Sequence, residues 1–203
     1  MRYDGILFDF DGVLVDSEPV HCACWAEVLA PAGITLEWEA YRRHCIGVSD
    51  RAMLEFLAAL ASRPVDVEGL WPRYADKKDL FRRRMAESSG CSQKTVDFMR
   101  SLKGYLLAVV TSSGRQEVEP LLERAGIQEL IGAAVYGEDV SRHKPAPDSY
   151  LLAASRLGVR SPLVVEDSDA GVASAQAAGF DVVRVNCPAE VPSLARGRLI
   201  AAQ

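Results

Sequence analysis

GILFDFDG, residues 5–12, joins a short apolar run to two acidic residues, Asp9 and Asp11. The run lacks the alternation of apolar and polar residues that marks a half-exposed strand, and this predicts a strand buried on both faces. A pair of acids at the end of a single strand is also compatible with an ordinary polar turn. Whether the pair has a chemical role therefore depends on what the rest of the chain brings to the same place.

Four more apolar runs of similar length follow in the second half of the chain. They are YLLAVV (105–110), GAAVY (132–136), PLVVED (162–167) and DVVRV (181–185). Helical patterns separate them and end at Gly126, Gly158 and Gly179, and glycine is a common stop just past the last turn of a helix. Pro120 inside the first of these patterns indicates a late helix start or a kink. Alternating buried strands and helices predict an α/β fold with a doubly wound, Rossmann-like parallel sheet.

The connection between the first and second strands is much longer than the others. It holds about ninety residues, far beyond an ordinary connection. Helical patterns fill it in PVHCACWAEVLAPAG (19–33), SDRAMLEFLAALA (49–61) and VEGLWPRYADKKDLFRRRMAE (67–87), the last expected to begin near Pro72. We therefore predict an inserted helical domain over residues 17–89 and a discontinuous α/β core over residues 1–16 and 90–203.

Composition and charge limit the partners that the chain is expected to have. It has 203 residues, of which 25% are charged, and a formal net charge of −5, which argues against a broad nucleic-acid or anionic-membrane surface. No apolar run approaches the roughly 18 residues of a membrane-spanning helix. Five scattered cysteines are not typical of a disulfide framework and favour a reducing, cytoplasmic location. We expect a monomer that acts on a small molecule.

Polar residues follow the ends of the predicted strands. Asp9 and Asp11 follow the first strand, Thr111, Ser112 and Ser113 the second, Lys144 lies in the loop after the third, and Glu166 and Asp167 end the fourth. Ligands of doubly wound sheets bind beyond the carboxyl ends of the strands, so these side chains are expected to meet there. One lysine cannot balance four carboxylates, and an all-oxygen ligand set of this kind suits Mg²⁺.

A metal ion, a lysine and several hydroxyls together are typical of a phosphate site. In phosphoryl transfer the metal and the lysine offset the charge on the transferring group. One carboxylate can attack phosphorus and form an aspartyl-phosphate. A second carboxyl can protonate the leaving alkoxide and later take a proton from the attacking water. The two acids of the opening stretch would then divide the work, one attacking and holding metal while the other moves protons.

Four segments of the sequence together resemble the motifs of the haloacid dehalogenase superfamily. They are DFDGVLVDSE (9–18), VVTSS (109–113), HKPAPD (143–148) and VVEDSDAG (164–171), and their order resembles the phosphatase and phosphomutase branch that carries a helical cap. The resemblance implies that Asp9 is the nucleophile and a Mg²⁺ ligand, and that Asp11 is the general acid and base with its backbone carbonyl on the metal. It also implies metal binding by Glu166 and Asp167, and phosphate binding by Gly12, Thr111, Ser112 and Lys144.

The predicted cap is expected to carry substrate specificity. The resemblance places His21 near the hinge, where a similar histidine faces the substrate, although packing at the junction of the two domains explains it equally well. IGVSDR (46–51) resembles the specificity loop of the cap. The β-phosphoglucomutases have an arginine directly after GVS, whereas Asp50 stands there in this chain and Arg51 follows. Lys78, in a basic run that is mainly a solvated helix face, is a further candidate for substrate contact.

Three functions are compatible with these residues. The first is a Mg²⁺-dependent phosphatase of a small phosphorylated metabolite such as a sugar phosphate. The second is a phosphosugar mutase with the same nucleophile, against which Asp50 argues. The third is a phosphoryl-binding regulatory module that resembles receiver domains. Receiver domains carry the phosphorylated aspartate after a middle strand and have no inserted domain, so the third function fits least well.

Overall fold

The computed structural model describes residues 3–46, 50–87 and 90–202. The chain divides into two compact units, of which unit 1 comprises residues 1–16 and 89–203 and unit 2 comprises residues 17–88. Among the described residues, no helix has the length and apolar character that crossing a bilayer requires.

Within the described residues, unit 1 is built on five parallel strands in the order β3-β2-β1-β4-β5. The strands are β1 Gly5–Phe8, β2 Leu106–Val110, β3 Ile131–Val135, β4 Pro162–Glu166 and β5 Asp181–Arg184. This confirms the predicted fold class, with each strand on its apolar run. The chain builds outward from β1 to β3 and then returns to β4 on the other side of β1. The order therefore reverses between β1 and β4, which is where sheets of this kind bind ligands.

The central strand β1 is paired on both of its edges. Ile6 aligns with Leu107 of β2 and with Leu163 of β4. Ile6, Leu7 and Phe8 have no solvent exposure, and burial on both faces explains why the run is apolar without alternation. Asp9 comes directly after this strand, so the buried sheet carries the first acid to its carboxyl edge.

Among the described residues, α-helices supply most of the remaining regular structure. In chain order they are α1 Glu18–Leu29, α2 Trp38–His44, α3 Asp50–Ala59, α4 Val67–Glu87, α5 Gln93–Ser101, α6 Arg115–Arg124, α7 Asp148–Leu157, α8 Asp169–Ala177 and α9 Val191–Ile200. In unit 1, α7 packs against β1, β2 and β3, and α8 packs against β4 and β5. The buried ring of Tyr150 on α7 joins the same hydrophobic cluster as Leu7 and Val164 of the sheet.

Unit 2 has a hydrophobic core of its own. Helix α4 packs against α1 and α3. Trp25 of α1, Leu54 and Leu57 of α3 and Leu70 of α4 are fully or almost fully buried in one cluster. The spacing of Leu54 and Leu57 places them on one face of α3, as the helical pattern indicates.

Two prolines do not mark helix boundaries as the sequence had indicated. Helix α6 begins at Arg115 and runs through Pro120, so of the two expectations for this proline the late start is wrong and the kink stays a prediction. Helix α4 begins at Val67 and contains Pro72, so it starts five residues earlier than the expected entry. Proline removes one backbone donor, but the other backbone bonds of each helix and the packing of its apolar face keep the segment helical.

Candidate active site

Three carboxylates meet at the carboxyl ends of β1 and β4. One oxygen from each of Asp9, Glu166 and Asp167 lies within 4.8 Å of the others. The pairing of the two central strands produces this cluster, because the backbone N–H of Asp9 donates to the carbonyl of Val165 at 3.0 Å. Hard oxygen ligands at this spacing fit a small divalent cation such as Mg²⁺.

Lys144 lies between two of these acids. Its Nζ donates to Asp9 Oδ1 and to Glu166 Oε1, both at 2.6 Å, and it also donates to the carbonyl of Val110 at 3.3 Å. The lysine side chain is only 8% exposed. Burial disfavours the ammonium, but the carboxylates of Asp9 and Glu166 outweigh it and raise the pKa of Lys144. The lysine therefore remains a fixed positive charge throughout the neutral pH range.

At Asp9, unlike at Lys144, burial affects the pKa more than the attraction of the oppositely charged neighbour does. Burial raises the pKa of Asp9 well above its ordinary value, and the Lys144 ammonium opposes this. The negative charges of Glu166 and Asp167 raise the pKa further. A divalent cation among the three acids would favour the ionised form of Asp9 that can act as a nucleophile. Both the negative charges and the oxygen ligands of the site therefore fit a divalent cation such as Mg²⁺.

Both carboxylate oxygens of Glu166 are held by the protein. Oε1 accepts from Lys144 Nζ and from the Tyr150 hydroxyl at 2.9 Å. Oε2 accepts from the backbone N–H of Asp167 at 2.9 Å and from the N–H and hydroxyl of Ser168 at 3.0 and 3.1 Å. Burial alone would raise the pKa of Glu166, but Lys144 and these donors lower it. Glu166 is therefore an ionised, immobile anion that fixes the lysine in place.

Two glycines make room for the acids. Gly12 has φ +73°, and a Cβ at this position would clash with the Asp167 carboxylate. Gly171, in the first turn of α8, lies so close to Glu166 that a Cβ there would overlap the carboxylate. Glycine at these two positions lets the backbone approach the charged groups closely. The structure thus places Gly12, which the resemblance had linked to phosphate binding, directly against the Asp167 carboxylate.

The loop after β2 brings its hydroxyls to the same edge of the sheet. The Thr111 hydroxyl is buried and accepts from the backbone N–H of Ser113 at 2.9 Å. The Ser113 hydroxyl donates to Asp11 Oδ2 at 2.7 Å. Ser112 is exposed. The loop thus links the second aspartate of the opening stretch to the hydroxyls that follow the neighbouring strand.

The predicted specificity residues lie in unit 2. The ring of His21 stacks on Phe81 with centroids 3.9 Å apart, and its Nδ1 is hydrogen-bonded to Lys77 Nζ. Lys78 Nζ lies 4.8 Å from the centroid of the Tyr74 ring. His21 therefore contacts Lys77, whereas the residue predicted from the sequence is the adjacent Lys78.

The expected specificity loop IGVSDR is only partly described. Residues 47–49 lie outside the described residues, and Asp50 begins α3. Arg51 forms ion pairs with Glu55 at 3.3 Å and with Glu68 at 3.4 Å, and its side chain is 61% exposed. The arginine that could replace the mutase arginine thus contacts carboxylates of its own unit.

Two residues that support the site were not found from the sequence. Tyr150 and Ser168 both donate to Glu166. Ser168 had a usable signal, since it directly follows the acid pair and caps α8 by accepting from the Gly171 N–H at 3.0 Å. Tyr150 had none, because a tyrosine on the apolar face of a helix reads as an ordinary core residue.

Comparisons with known proteins give a consistent result. The family model described as haloacid dehalogenase-like hydrolase matches residues 6–185. Fructose-1-phosphate phosphatase YqaB of Escherichia coli (strain K12) is 35% identical over 187 residues, which cover 91% of this chain and 97% of that protein. The phosphorylated carbohydrates phosphatase of Thermotoga maritima is 31% identical over 181 residues, covering 88% of this chain and 82% of that protein.

A solved structure is also similar over most of the chain. The crystal structure of CbbY from Rhodobacter sphaeroides in complex with phosphate is 26% identical and superposes with a TM-score of 0.71. The superposition covers 90% of this chain and 87% of that one.

Proposed function

Because the chain belongs to the haloacid dehalogenase-like hydrolase family, we propose that it hydrolyses a small phosphorylated carbohydrate through a phosphorylated Asp9. The enzyme class is phosphoric monoester hydrolase, which is the class of its named relatives. The observation that carries the proposal is the cluster of Asp9, Glu166 and Asp167, in which Lys144 forms ion pairs with the buried carboxylates of Asp9 and Glu166. Such a cluster supplies a nucleophile, a fixed cation and an oxygen ligand set in one place.

Transfer to the enzyme is the first step of the proposed reaction. A carboxylate oxygen of Asp9 attacks phosphorus, and its new bond forms as the bond from phosphorus to the leaving oxygen breaks. Asp11 gives its proton to that leaving oxygen, so the product departs as a neutral alcohol. The Thr111 hydroxyl, the Ser112 N–H and the Lys144 ammonium stabilise the charge on the transferring group.

Hydrolysis of the phosphorylated aspartate is the second step. Asp11, now ionised, takes a proton from water as the water oxygen bonds to phosphorus and the bond to Asp9 breaks. Phosphate leaves, and Asp9 and the protonated Asp11 are restored. Asp9, Asp167, Glu166 and the backbone carbonyl of Asp11 would hold Mg²⁺, which when bound offsets the negative charge of the phosphoryl group.

Unit 2 is assigned to substrate selection. It is inserted between β1 and the rest of unit 1, as the cap is in the family that the motifs resemble. His21 and Lys78 are our candidates for substrate contact. Alanine at either position is expected to change the order of preference among sugar phosphates, and equal changes for every substrate would contradict this assignment.

The experiment that tests the function is phosphate release from a panel of phosphorylated metabolites with and without Mg²⁺. Fructose 1-phosphate and β-glucose 1-phosphate with trace bisphosphate belong in the panel. Mg²⁺-dependent release from one class of compounds is the expected result, with no release by Asp9→Asn, whose side chain has nearly the same shape. Conversion of the 1-phosphate to the 6-phosphate without release would instead identify a mutase.

A further inference from the structure

The hydroxyl of Ser113 is in direct contact with the carboxyl of Asp11. Ser113 Oγ donates to Asp11 Oδ2 at 2.7 Å, and both side chains are half-buried. Asp11 is the residue to which we assign proton transfer, whereas Ser113 has been given no role so far. The contact therefore raises the question of what the serine does for the aspartate.

The backbone of Ser113 is fixed on both sides. Its N–H donates to Thr111 Oγ1 at 2.9 Å, and its carbonyl accepts from the Gly137 N–H at 3.0 Å. A Cβ on Gly137 would clash with the carbonyl of Ser112, so the loop after β2 lies directly against the turn that follows β3. The Ser113 hydroxyl is thus presented from a backbone that has little freedom to move.

The same turn also anchors the helix that follows the loop. The carboxylate of Glu138 accepts from the backbone N–H of Arg115, the first residue of α6, at 3.0 and 3.3 Å. This satisfies one of the open donors at the start of that helix. The loop is therefore held by Gly137 in its middle and by Glu138 at its end.

A serine hydroxyl suits a partner whose protonation state changes. It donates to a carboxylate, and after a rotation about its C–O bond it accepts from a protonated carboxyl. The contact can therefore persist while Asp11 alternates between acid and base. An aspartate that lacks this contact has more rotamers available, and a misplaced proton donor lowers the rate of bond cleavage.

We propose that Ser113 is a positioning residue that holds the Asp11 carboxyl in line with the leaving oxygen of the substrate. This rests on the proposed phosphatase function. Its effect should be largest where proton donation matters most, which is the cleavage of esters of poorly acidic alcohols. Esters whose leaving group departs as a stable anion need little help from Asp11.

The test compares two leaving groups in a single turnover. The substrates are p-nitrophenyl phosphate and the best sugar phosphate of the panel, each with enzyme in excess and Mg²⁺ present. Release of p-nitrophenolate or of the sugar is followed, so hydrolysis of the phosphorylated enzyme does not limit the signal. The variants are Ser113→Ala, which removes the hydroxyl, and Ser113→Thr, which keeps it.

Ser113→Ala is expected to slow release of the sugar by about tenfold, as for the loss of one hydrogen bond to the group that donates the proton. Release of p-nitrophenolate should change by less than about twofold, and Ser113→Thr should restore most of the rate with the sugar phosphate. Equal slowing with both substrates would assign Ser113 to phosphate binding or to folding, and no slowing would leave it without a role. Either result overturns the proposal.

The background variant Asp11→Asn separates this proposal from the proposed function. In that background Ser113→Ala is expected to have no further effect on sugar release, because residues that act through one another are not additive. A full additional loss would mean that Ser113 acts independently of Asp11. If the wild-type enzyme releases neither leaving group, the proposed phosphatase function is wrong. This outcome is distinct from a failure of the Ser113 proposal, because that failure is seen only as a difference between variants of an active enzyme.

Discussion

Lys144 lies between the buried carboxylates of Asp9 and Glu166, and its positive charge forms an ion pair with each of them. Removing one partner of a buried ion pair leaves an unbalanced charge in a poorly hydrated site. We expect Lys144→Met to lower the free energy of unfolding by about 3–5 kcal/mol in the presence of EDTA. The measurement is urea unfolding, with Lys103→Met at an exposed lysine as the control. A loss equal to that of the control would mean that the two acids are neutral in the folded protein.

Cys91 supplies a prediction about alkaline pH. Burial raises the pKa of its thiol to about 11, against roughly 8.5 for an unfolded cysteine. The thiol's contribution to stability is therefore complete below the unfolded pKa and is lost as pH rises toward the folded pKa. Between pH 8 and 10 the wild type should lose about 2 kcal/mol more than Cys91→Ala. Urea unfolding under reducing conditions at both pH values tests this, and parallel losses would contradict it.

At the scale of single elements, the first turn of α8 depends on glycine at position 171, because only a residue without a side chain fits beside Glu166. Alanine usually stabilises a helix interior by up to about 1 kcal/mol over glycine. Here its methyl group would overlap the Glu166 carboxylate, so Gly171→Ala should instead lower both the melting temperature and the rate of phosphate release. Gly197→Ala in α9 is the matched control, because a Cβ there meets no atom within 4 Å. Stabilisation of both variants alike would show that Glu166 can move without cost.

The elements differ in how far the sequence could predict them. The inner strands β1, β2 and β4 could be located because burial on both faces leaves an apolar run, as in Ile6–Phe8, with few alternatives. The edge strands β3 and β5 are only partly buried, although their runs are apolar as well. Helices α2 and α9 were missed, since WEAYRRH (38–44) is short and largely polar and VPSLARGRLI (191–200) has a proline at its second position, which suggests a loop. The helix starts expected near Pro72 and Pro120 are wrong for a related reason, because the local preference of a proline yields to the packing of the whole helix.

At the scale of the whole molecule, the three acids predict a response to metal ions. Mg²⁺ that binds the folded chain alone should stabilise it by about 2.7 kcal/mol at a concentration one hundred times its dissociation constant. Thermal unfolding with and without Mg²⁺ measures this gain. Asp167→Asn, which removes one charge and keeps the shape, should abolish most of it. An undiminished gain in this variant would place the bound ion at some other part of the protein.

The arrangement of the candidate site could be inferred in outline because one sheet edge collects the ends of several strands. Asp9 and Asp167 follow β1 and β4, and the pairing of these strands decides that their carboxylates meet. The contacts of Glu166 with Tyr150 and of Asp11 with Ser113 could not be inferred. They depend on rotamers and on the exact placement of a helix and a loop, which residue spacing does not encode.

The central position of β1 also has a consequence for biosynthesis. This strand is translated before its partners β2 and β4, which lie far downstream, beyond the whole of unit 2. About 100 codons separate β1 from β2, so at ordinary translation speeds the strand waits for roughly 5–20 s on the ribosome. During that interval GILF is an apolar segment without its sheet neighbours, and a chaperone that binds apolar segments would protect it.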